Sequence, residues 1–160
     1  TLDKGSLAPA DALDLAALIQ TQLATLAPQA LARGLELSLD APDSLLTRGE
    51  HAAYESILLN LVDNALRYVP SGGHIEVSLR AQPDGLWLRV DDDGPGLSAP
   101  ERSQAFQRFW RGPQGDGVSG SGLGLAIVQE ACRRLGARVE LQTGLGGRGL
   151  GVAVRLPLPD

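Results

Sequence analysis

The chain has 160 residues, of which 43% are hydrophobic, and its 14 basic and 19 acidic side chains give a formal net charge of −5. This length and apolar content fit a single folded domain and exclude a disordered tail. The excess of acid argues against a nucleic-acid partner, the lack of a long apolar run excludes a membrane-spanning helix, and the single cysteine excludes an internal disulfide.

The chain begins with residues 1–10, whose mixture of Gly, Ser, Pro and charged side chains is typical of a linker, and residues 11–160 are expected to form the domain. Because the chain has no Met and no signal-like start, we expect it to be an excised piece of a longer protein. Periodicity and turn residues then predict, in chain order, a helix at Asp11–Arg33, a strand at Leu35–Leu39, a helix at Glu50–Val69, strands at His74–Arg80 and Leu86–Val90, a short helix at Ala99–Phe109, a helix at Leu125–Leu135, and strands at Val139–Gln142 and Gly151–Leu156.

These elements predict an α/β fold. Helices and strands interleave without a strict βαβ repeat, and two strand pairs are joined by short turns. The economical arrangement is a two-layer sandwich, in which a mixed, mostly antiparallel sheet carries three main helices on one face. Helical spacing gives the first helix an apolar face of Leu15, Leu18, Ile19, Leu23, Leu26 and Leu31.

The second predicted helix is apolar around most of its circumference but carries one narrow polar stripe. At about 100° per residue, Asn60, Asn64 and Arg67 fall within an arc of roughly 60°. An ordinary solvent face is the alternative, although such faces favour Glu, Lys and Gln, and each Asn lowers helix propensity. Asn carbonyls are hard oxygen ligands suited to Mg²⁺, and Arg67 is placed to hold the phosphates that such an ion accompanies.

A run of acidic residues and glycines, Asp91-Asp92-Asp93-Gly94-Pro95-Gly96-Leu97, directly follows a predicted strand. It is either a tight turn or a loop that binds a nucleobase. In the second case an Asp accepts a hydrogen bond from an exocyclic amine, while the glycines let a flat ring approach the backbone. Such an acceptor favours adenine over guanine, which presents a carbonyl at that position.

A glycine-rich loop, Gly120-Ser121-Gly122-Leu123-Gly124, runs into the helix that starts near Leu125. Glycines ahead of a helix N-terminus leave backbone N–H groups free to face an anion. The spacing is neither that of a Walker A loop nor that of the dinucleotide fingerprint. Residues 112–119, just before it, are either a mobile lid or a surface loop.

Four segments in fixed order resemble the ATP-binding kinase domain of bacterial sensor histidine kinases, within the gyrase, MutL and histidine kinase superfamily. The resemblance covers about Asp11–Pro159 and implies the Bergerat fold. Its four motifs are the N box at Asn60–Tyr68, the G1 box at Asp92–Gly96, the F box at Phe106–Arg111 and the G2 box at Gly120–Val128.

The resemblance implies ATP and Mg²⁺ as cofactors and a role for each motif. Asn64, helped by Asn60, would hold Mg²⁺ against the triphosphate, and Arg67 would contact phosphate. Asp92 would accept from the adenine amine beside Gly94 and Gly96, and Tyr68 would pack on the ring. The groups implied to close over the phosphates are Arg108 or Arg111 together with Gly120, Ser121, Gly122, Leu123, Gly124 and Leu125.

One position distinguishes branches of this superfamily. The hydrolases carry a Glu four residues before the Asn that Asn64 matches, and here that position is Asn60. An amide cannot take a proton from water at neutral pH, so the site lacks a hydrolytic base. The resemblance therefore implies that a histidine on a separate dimerisation domain accepts the phosphoryl group, with Asn60, Asn64, Arg67 and Arg111 as the catalytic residues.

Leu150 is a departure from the family pattern, in which the glycine matched by Gly149 is usually followed by Thr. We expect a polar contact near the adenine to be missing. His51 and His74 match no phospho-accepting motif and are expected to be structural or solvated.

The resemblance also implies partners: the protein's own histidine phosphotransfer domain, absent from this chain, a cognate response regulator reached through that domain, and no nucleic acid. The parent would be a membrane-bound homodimer with this domain in the cytoplasm. Two alternatives remain, an anti-sigma-type Ser/Thr kinase of the same fold and an inactive nucleotide-binding scaffold.

Overall fold

The computed structural model describes residues 12–106 and 124–157. The predicted linker therefore lies outside the described residues. The elements in chain order are β1 (Ala12–Asp14), α1 (Leu15–Ala32), β2 (Glu36–Asp40), β3 (Leu46–Arg48), α2 (His51–Tyr68), β4 (His74–Gln82), β5 (Gly85–Asp92), α3 (Ala99–Gln104), α4 (Gly124–Leu135), β6 (Arg138–Thr143), a 3₁₀ turn (Leu145–Gly147) and β7 (Leu150–Leu156).

Five of the strands form one sheet in the order β2-β4-β5-β7-β6. The β2–β4 pair is parallel, and the β4–β5, β5–β7 and β6–β7 pairs are antiparallel. Strand alternation gives the sheet one apolar face, because Ile75, Val77 and Leu79 on β4 are buried while the residues between them are not. This face joins α1, α2 and α4 in one core, and the predicted mixed, mostly antiparallel α/β fold is confirmed.

The start of the first helix is a correction to the sequence-based prediction. Residues 12–14 form β1, which pairs antiparallel with β3, and α1 begins at Leu15 rather than Asp11. The cause is Asp14, whose Oδ1 accepts the N–H groups of Ala17 at 3.2 Å and Leu45 at 2.9 Å. Such a carboxylate satisfies orphan donors and caps the helix.

Two further predictions differ from the structure. Leu31 is 80% exposed, although helical spacing places it on the apolar face of α1. In the last turn of α1 the buried residue is Ala30, which is 2% exposed, and Leu31 follows it about 100° further around the helix, on the solvent side. The short helix α3 ends at Gln104, before the predicted end at Phe109. Within the described ranges, no helix is both long and apolar enough to span a membrane.

Candidate functional site

A cleft opens between α2, the loop after β5, the first turn of α4 and the beginning of β7. It encloses about 660 Å³, a volume that includes open solvent at its mouth. Its described lining is mostly apolar and comprises Leu61, Asn64, Ala65, Tyr68, Val69, Val90, Asp92, Pro95, Gly96, Leu97, Leu125, Leu150 and Val152.

Asp92 is the buried carboxylate of this cleft and is only 7% exposed. Its Oδ1 accepts the backbone N–H groups of Gly94 at 2.9 Å and Leu150 at 3.1 Å. Within residues 12–106 and 124–157, Oδ2 has no hydrogen-bond partner, so it is available to a ligand. Burial raises the pKa of Asp92, and the two backbone N–H groups oppose that shift.

Glycines let the backbone of the 144–150 segment approach Asp92. A Cβ on Gly149, where φ is +77°, would lie 2.1 Å from the carbonyl oxygen of Asp92 and 2.6 Å from its Oδ1. A Cβ on Gly144 would also lie 2.1 Å from that carbonyl oxygen. This contribution is not among the sequence-based predictions, which give only a short turn before the last strand and a missing polar contact at Leu150. The density of glycines between residues 144 and 151 was the available signal.

Three consecutive aspartates have three different environments. Asp91 points to the opposite face of the sheet from Asp92, where Arg89 Nε and Nη2 donate to its two oxygens at 3.0 and 2.7 Å. Asp93 lies beyond β5, accepts the N–H of His74 at 2.8 Å and contacts its Nδ1 at 2.7 Å. Of the three, only Asp92 therefore lines the cleft.

The two Asn residues of the polar stripe lie one turn apart on α2, and both are half-buried. Asn64 lines the cleft, whereas Asn60 does not. The Nδ2 of Asn60 donates to the carbonyl oxygen of Ser56 at 2.7 Å. This bond fixes the orientation of the amide, and within the described part of the chain its Oδ1 has no partner.

The remaining predicted site residues divide into four groups. Tyr68, Gly96 and Leu125 line the cleft. Arg67 and Gly94 lie beside it: Arg67 Nε donates to Asp63 Oδ2 at 2.8 Å, and Gly94 contributes its backbone N–H to Asp92. Gly124 opens α4. The predicted residues that lie outside the described ranges are Arg108, Arg111, Gly120, Ser121, Gly122 and Leu123.

The described residues contain no group of three or more His, Cys, Asp or Glu side chains that could hold a metal ion. A cation in the cleft would therefore depend on amide oxygens and on oxygens of the ligand. Cys132 lies in the core, where burial raises the pKa of its thiol to about 11, so it stays protonated at neutral pH.

Comparisons with known proteins place these features in a family. The model of histidine kinase-, DNA gyrase B-, and HSP90-like ATPases matches residues 49–160. The swarming motility regulation sensor protein RssA of Serratia marcescens is 40% identical over 148 residues, which cover 92% of this chain and 31% of the relative. The sensor protein kinase PmrB of Pseudomonas aeruginosa is 39% identical over 145 residues, covering 91% of this chain and 30% of the relative.

The chain thus spans about a third of the length of these curated relatives. Among solved structures, that of a mycobacterial sensor histidine kinase, MprB, superimposes with a TM-score of 0.80 at 27% sequence identity. The match covers 94% of this chain and 100% of the MprB chain. The resemblance stated from the four sequence motifs is confirmed by these matches.

Proposed function

Since the chain belongs to the family of histidine kinase-, DNA gyrase B- and HSP90-like ATPases, on its sensor histidine kinase branch, we propose that it binds Mg-ATP and transfers the γ-phosphate to a histidine on a separate dimerisation domain. The chain is then the catalytic domain, residues 11–160, of a protein-histidine kinase. Its parent works in two-component signal transduction.

The observation that carries this proposal is Asp92 Oδ2, which has no hydrogen-bond partner among the described residues and belongs to a side chain that lines an apolar cleft. Its Oδ1 is held by two backbone N–H groups, at 2.9 and 3.1 Å, and Oδ2 is left to accept from a ligand. A carboxylate in this position matches the exocyclic amine of adenine and repels the carbonyl of guanine. The apolar lining suits a flat aromatic ring, and Tyr68 at the margin offers a further surface for packing.

The described donor set fits a magnesium ion held partly by the nucleotide. Asn64 lines the cleft and Asn60 has an amide oxygen without a partner among the described residues, so both offer the neutral oxygens that Mg²⁺ accepts beside water and phosphate. When bound, the ion supplies charge neutralisation for the triphosphate. We propose that Arg67, Arg108 or Arg111, and the backbone N–H groups of the 120–125 segment complete the phosphate contacts.

The site supports phosphoryl transfer to a group outside the chain rather than hydrolysis. Among the described lining residues, Asp92 is the one carboxylate, and in this proposal it is occupied by the adenine amine. Asn60 cannot deprotonate water, and Glu55, on the same helix, is paired with His51 at 3.2 Å. An incoming histidine would supply the nucleophile itself, with the triphosphate positioned for in-line transfer.

Calorimetric titration with ADP and ATP, with and without Mg²⁺, tests nucleotide binding directly. The transfer step is tested by mixing the chain with labelled ATP and the dimerisation segment of its parent. We expect an acid-labile, base-stable phosphoryl bond on that segment and only slow release of free phosphate. Steady hydrolysis by the chain alone would contradict the proposal, and so would an acid-stable bond, which would identify a Ser/Thr kinase.

We extend the proposal to the parent protein on the strength of the resemblance alone. It would be a membrane-bound homodimer with this domain in the cytoplasm, and the phosphorylated histidine would serve a cognate response regulator. Absence of any heat or thermal shift with nucleotide would instead favour an inactive scaffold.

A further inference from the structure

The wall of the cleft next to Asp92 is formed by the first residues of β7. Leu150 and Val152 both line the cleft, and Leu150 is half-buried there. The side chain of Leu150 ends in two methyl groups, and its backbone N–H is already engaged with Asp92 Oδ1 at 3.1 Å. The N–H of Gly94 is engaged with the same oxygen at 2.9 Å. Beside the carboxylate, β7 therefore offers a ligand apolar contact only.

An adenine ring presents two polar groups along the edge that faces such a carboxylate. The exocyclic amine donates a hydrogen bond, and the adjacent ring nitrogen, N1, accepts one. Asp92 Oδ2 can serve the amine, but a carboxylate has no proton to give to N1. Apart from Asp92, the polar side chains among the described lining residues are Asn64 and Tyr68, and both belong to α2 rather than to β7.

We propose that this domain recognises adenine through its exocyclic amine alone, because Leu150 gives the neighbouring wall no donor side chain for N1. The inference rests on the proposed function and narrows its substrate class. Purine nucleotides that keep the amine but carry carbon in place of N1 should bind as well as adenine nucleotides. Leu150 is then a specificity-determining residue, since a hydroxyl at this position would donate to N1 and make nucleotide affinity depend on that atom.

The test compares ADP with 1-deaza-ADP by calorimetry on the wild-type chain and on two variants. Leu150→Thr and Leu150→Val have side chains of nearly the same shape, and they differ in a hydroxyl against a methyl group. Both are β-branched and suit a strand. Melting temperatures of the three proteins establish that each is folded. The Val variant shows the effect of a smaller side chain without an added hydrogen-bond donor.

We expect the wild-type chain and Leu150→Val to bind the two nucleotides within about twofold of each other. Leu150→Thr should prefer ADP by about fivefold, the effect of one neutral hydrogen bond. A wild-type preference for ADP of fivefold or more would overturn the inference. It would also be overturned if the Thr and Val variants discriminated equally.

A third nucleotide separates failure of this inference from failure of the proposed function. IDP carries a carbonyl in place of the amine, so the wild-type chain should bind it at least tenfold more weakly than ADP. No binding of ADP, or equal binding of ADP and IDP, would refute the proposed adenine site and the inference with it. A clear preference for ADP over both IDP and 1-deaza-ADP would refute the inference alone.

Discussion

The Oδ1 atom of Asp92 accepts the backbone N–H of Leu150 at 3.1 Å, across 58 residues of sequence. Together with the N–H of Gly94, this contact places two donors on one carboxylate oxygen and fixes the rotation of the group. Because Asp92 lines the cleft, its Oδ2, which has no hydrogen-bond partner among the described residues, is held in place there before any ligand arrives. Preorganisation of this kind reduces the entropy lost on binding.

Asp92→Asn should reverse the preference of the site from an amine to a carbonyl. The two backbone N–H groups would keep the carbonyl oxygen of the Asn amide in the place of Oδ1, so Nδ2 would stand where Oδ2 stands. The Asn Nδ2 would then face the adenine amine, which is also a donor, and ADP would lose at least about 1.5–3 kcal/mol of binding free energy. IDP would gain a partner. Calorimetry with both nucleotides checks this, and unchanged ADP affinity would show that the base is recognised elsewhere.

The same variant should not lose stability at neutral pH. Burial raises the pKa of Asp92, so its ionised form is disfavoured by folding. This destabilising contribution is absent below the ordinary carboxyl pKa, develops as pH rises toward the raised pKa, and is complete above it. We expect denaturant unfolding at pH 7 to show a free energy of unfolding for Asp92→Asn equal to or above that of the wild type. A marked decrease would contradict the assignment of Asp92 to ligand binding rather than stability.

Gly149→Ala should displace Asp92 and abolish nucleotide binding. Its Cβ would lie 2.6 Å from Oδ1, and the φ of +77° adds about 1–2 kcal/mol of strain for a residue with a side chain. Gly146→Ala is the matched control, because φ there is +61° and its Cβ would meet no atom within 4 Å. Both should lower the free energy of unfolding, Gly149→Ala by about 1–3 kcal/mol more. Equal losses of unfolding free energy, with ADP binding retained in both variants, would show that Gly149 does not approach Asp92 this closely.

His74→Gln should lower stability in a pH-dependent way. His74 contacts Asp93 through Nδ1 at 2.7 Å and Glu36 through Nε2 at 2.9 Å, and the hydrogen bond to Asp93 is the main reason that the pKa of His74 is raised. Stability from a raised histidine pKa is complete below its unfolded value of about 6.5 and disappears as pH rises through the folded value. The melting temperature of the variant should therefore fall furthest below wild type near pH 5.5 and approach it by pH 8.5.

The pKa of Asp93 sets the lower pH limit of this effect, and His51 provides a control variant. Asp93 has a lowered pKa, chiefly because it accepts the N–H of His74, so its contribution is lost only when pH falls through that lowered value. His51→Gln is the control, since among the described residues His51 pairs with Glu55 alone, at 3.2 Å. A pH-independent effect of His74→Gln, or an equal effect of His51→Gln, would refute the proposed coupling.

Asn64→Ala should remove the part of ADP affinity that depends on Mg²⁺ and leave binding without the ion nearly unchanged. Asn64 lines the cleft, whereas Asn60 lies outside its described lining with its Nδ2 held by Ser56. Asn60→Ala should accordingly reduce the magnesium dependence less. Titrations of ADP with Mg²⁺ and with EDTA measure both effects. Full magnesium dependence in Asn64→Ala would place the ion elsewhere.

Local pattern sufficed to predict most of the fold and the family. Alternation and helical spacing placed each main strand and helix within a few residues, because these periods follow from backbone geometry alone. The order of residues likewise contained the four motifs and the Asn at position 60, and it led to the prediction that Asp92 accepts from the adenine amine. What pattern could not predict was the start of α1, since the carboxylate of Asp14 is held by Leu45, which is distant in the chain.

Only the tertiary structure decided how the site is built. It separated Asp91, Asp92 and Asp93 into three environments, placed Asn64 in the cleft and Asn60 beside it, and brought Leu150 to Asp92. It also placed Ala30 rather than Leu31 against the core in the last turn of α1. The physical reason is common to all of these: a backbone N–H donates identically in every residue but proline, and packing against distant elements decides which face is covered. Glycines mark residues 144–151 as a segment that permits a close approach, but the local order of side chains does not say which distant residue is approached.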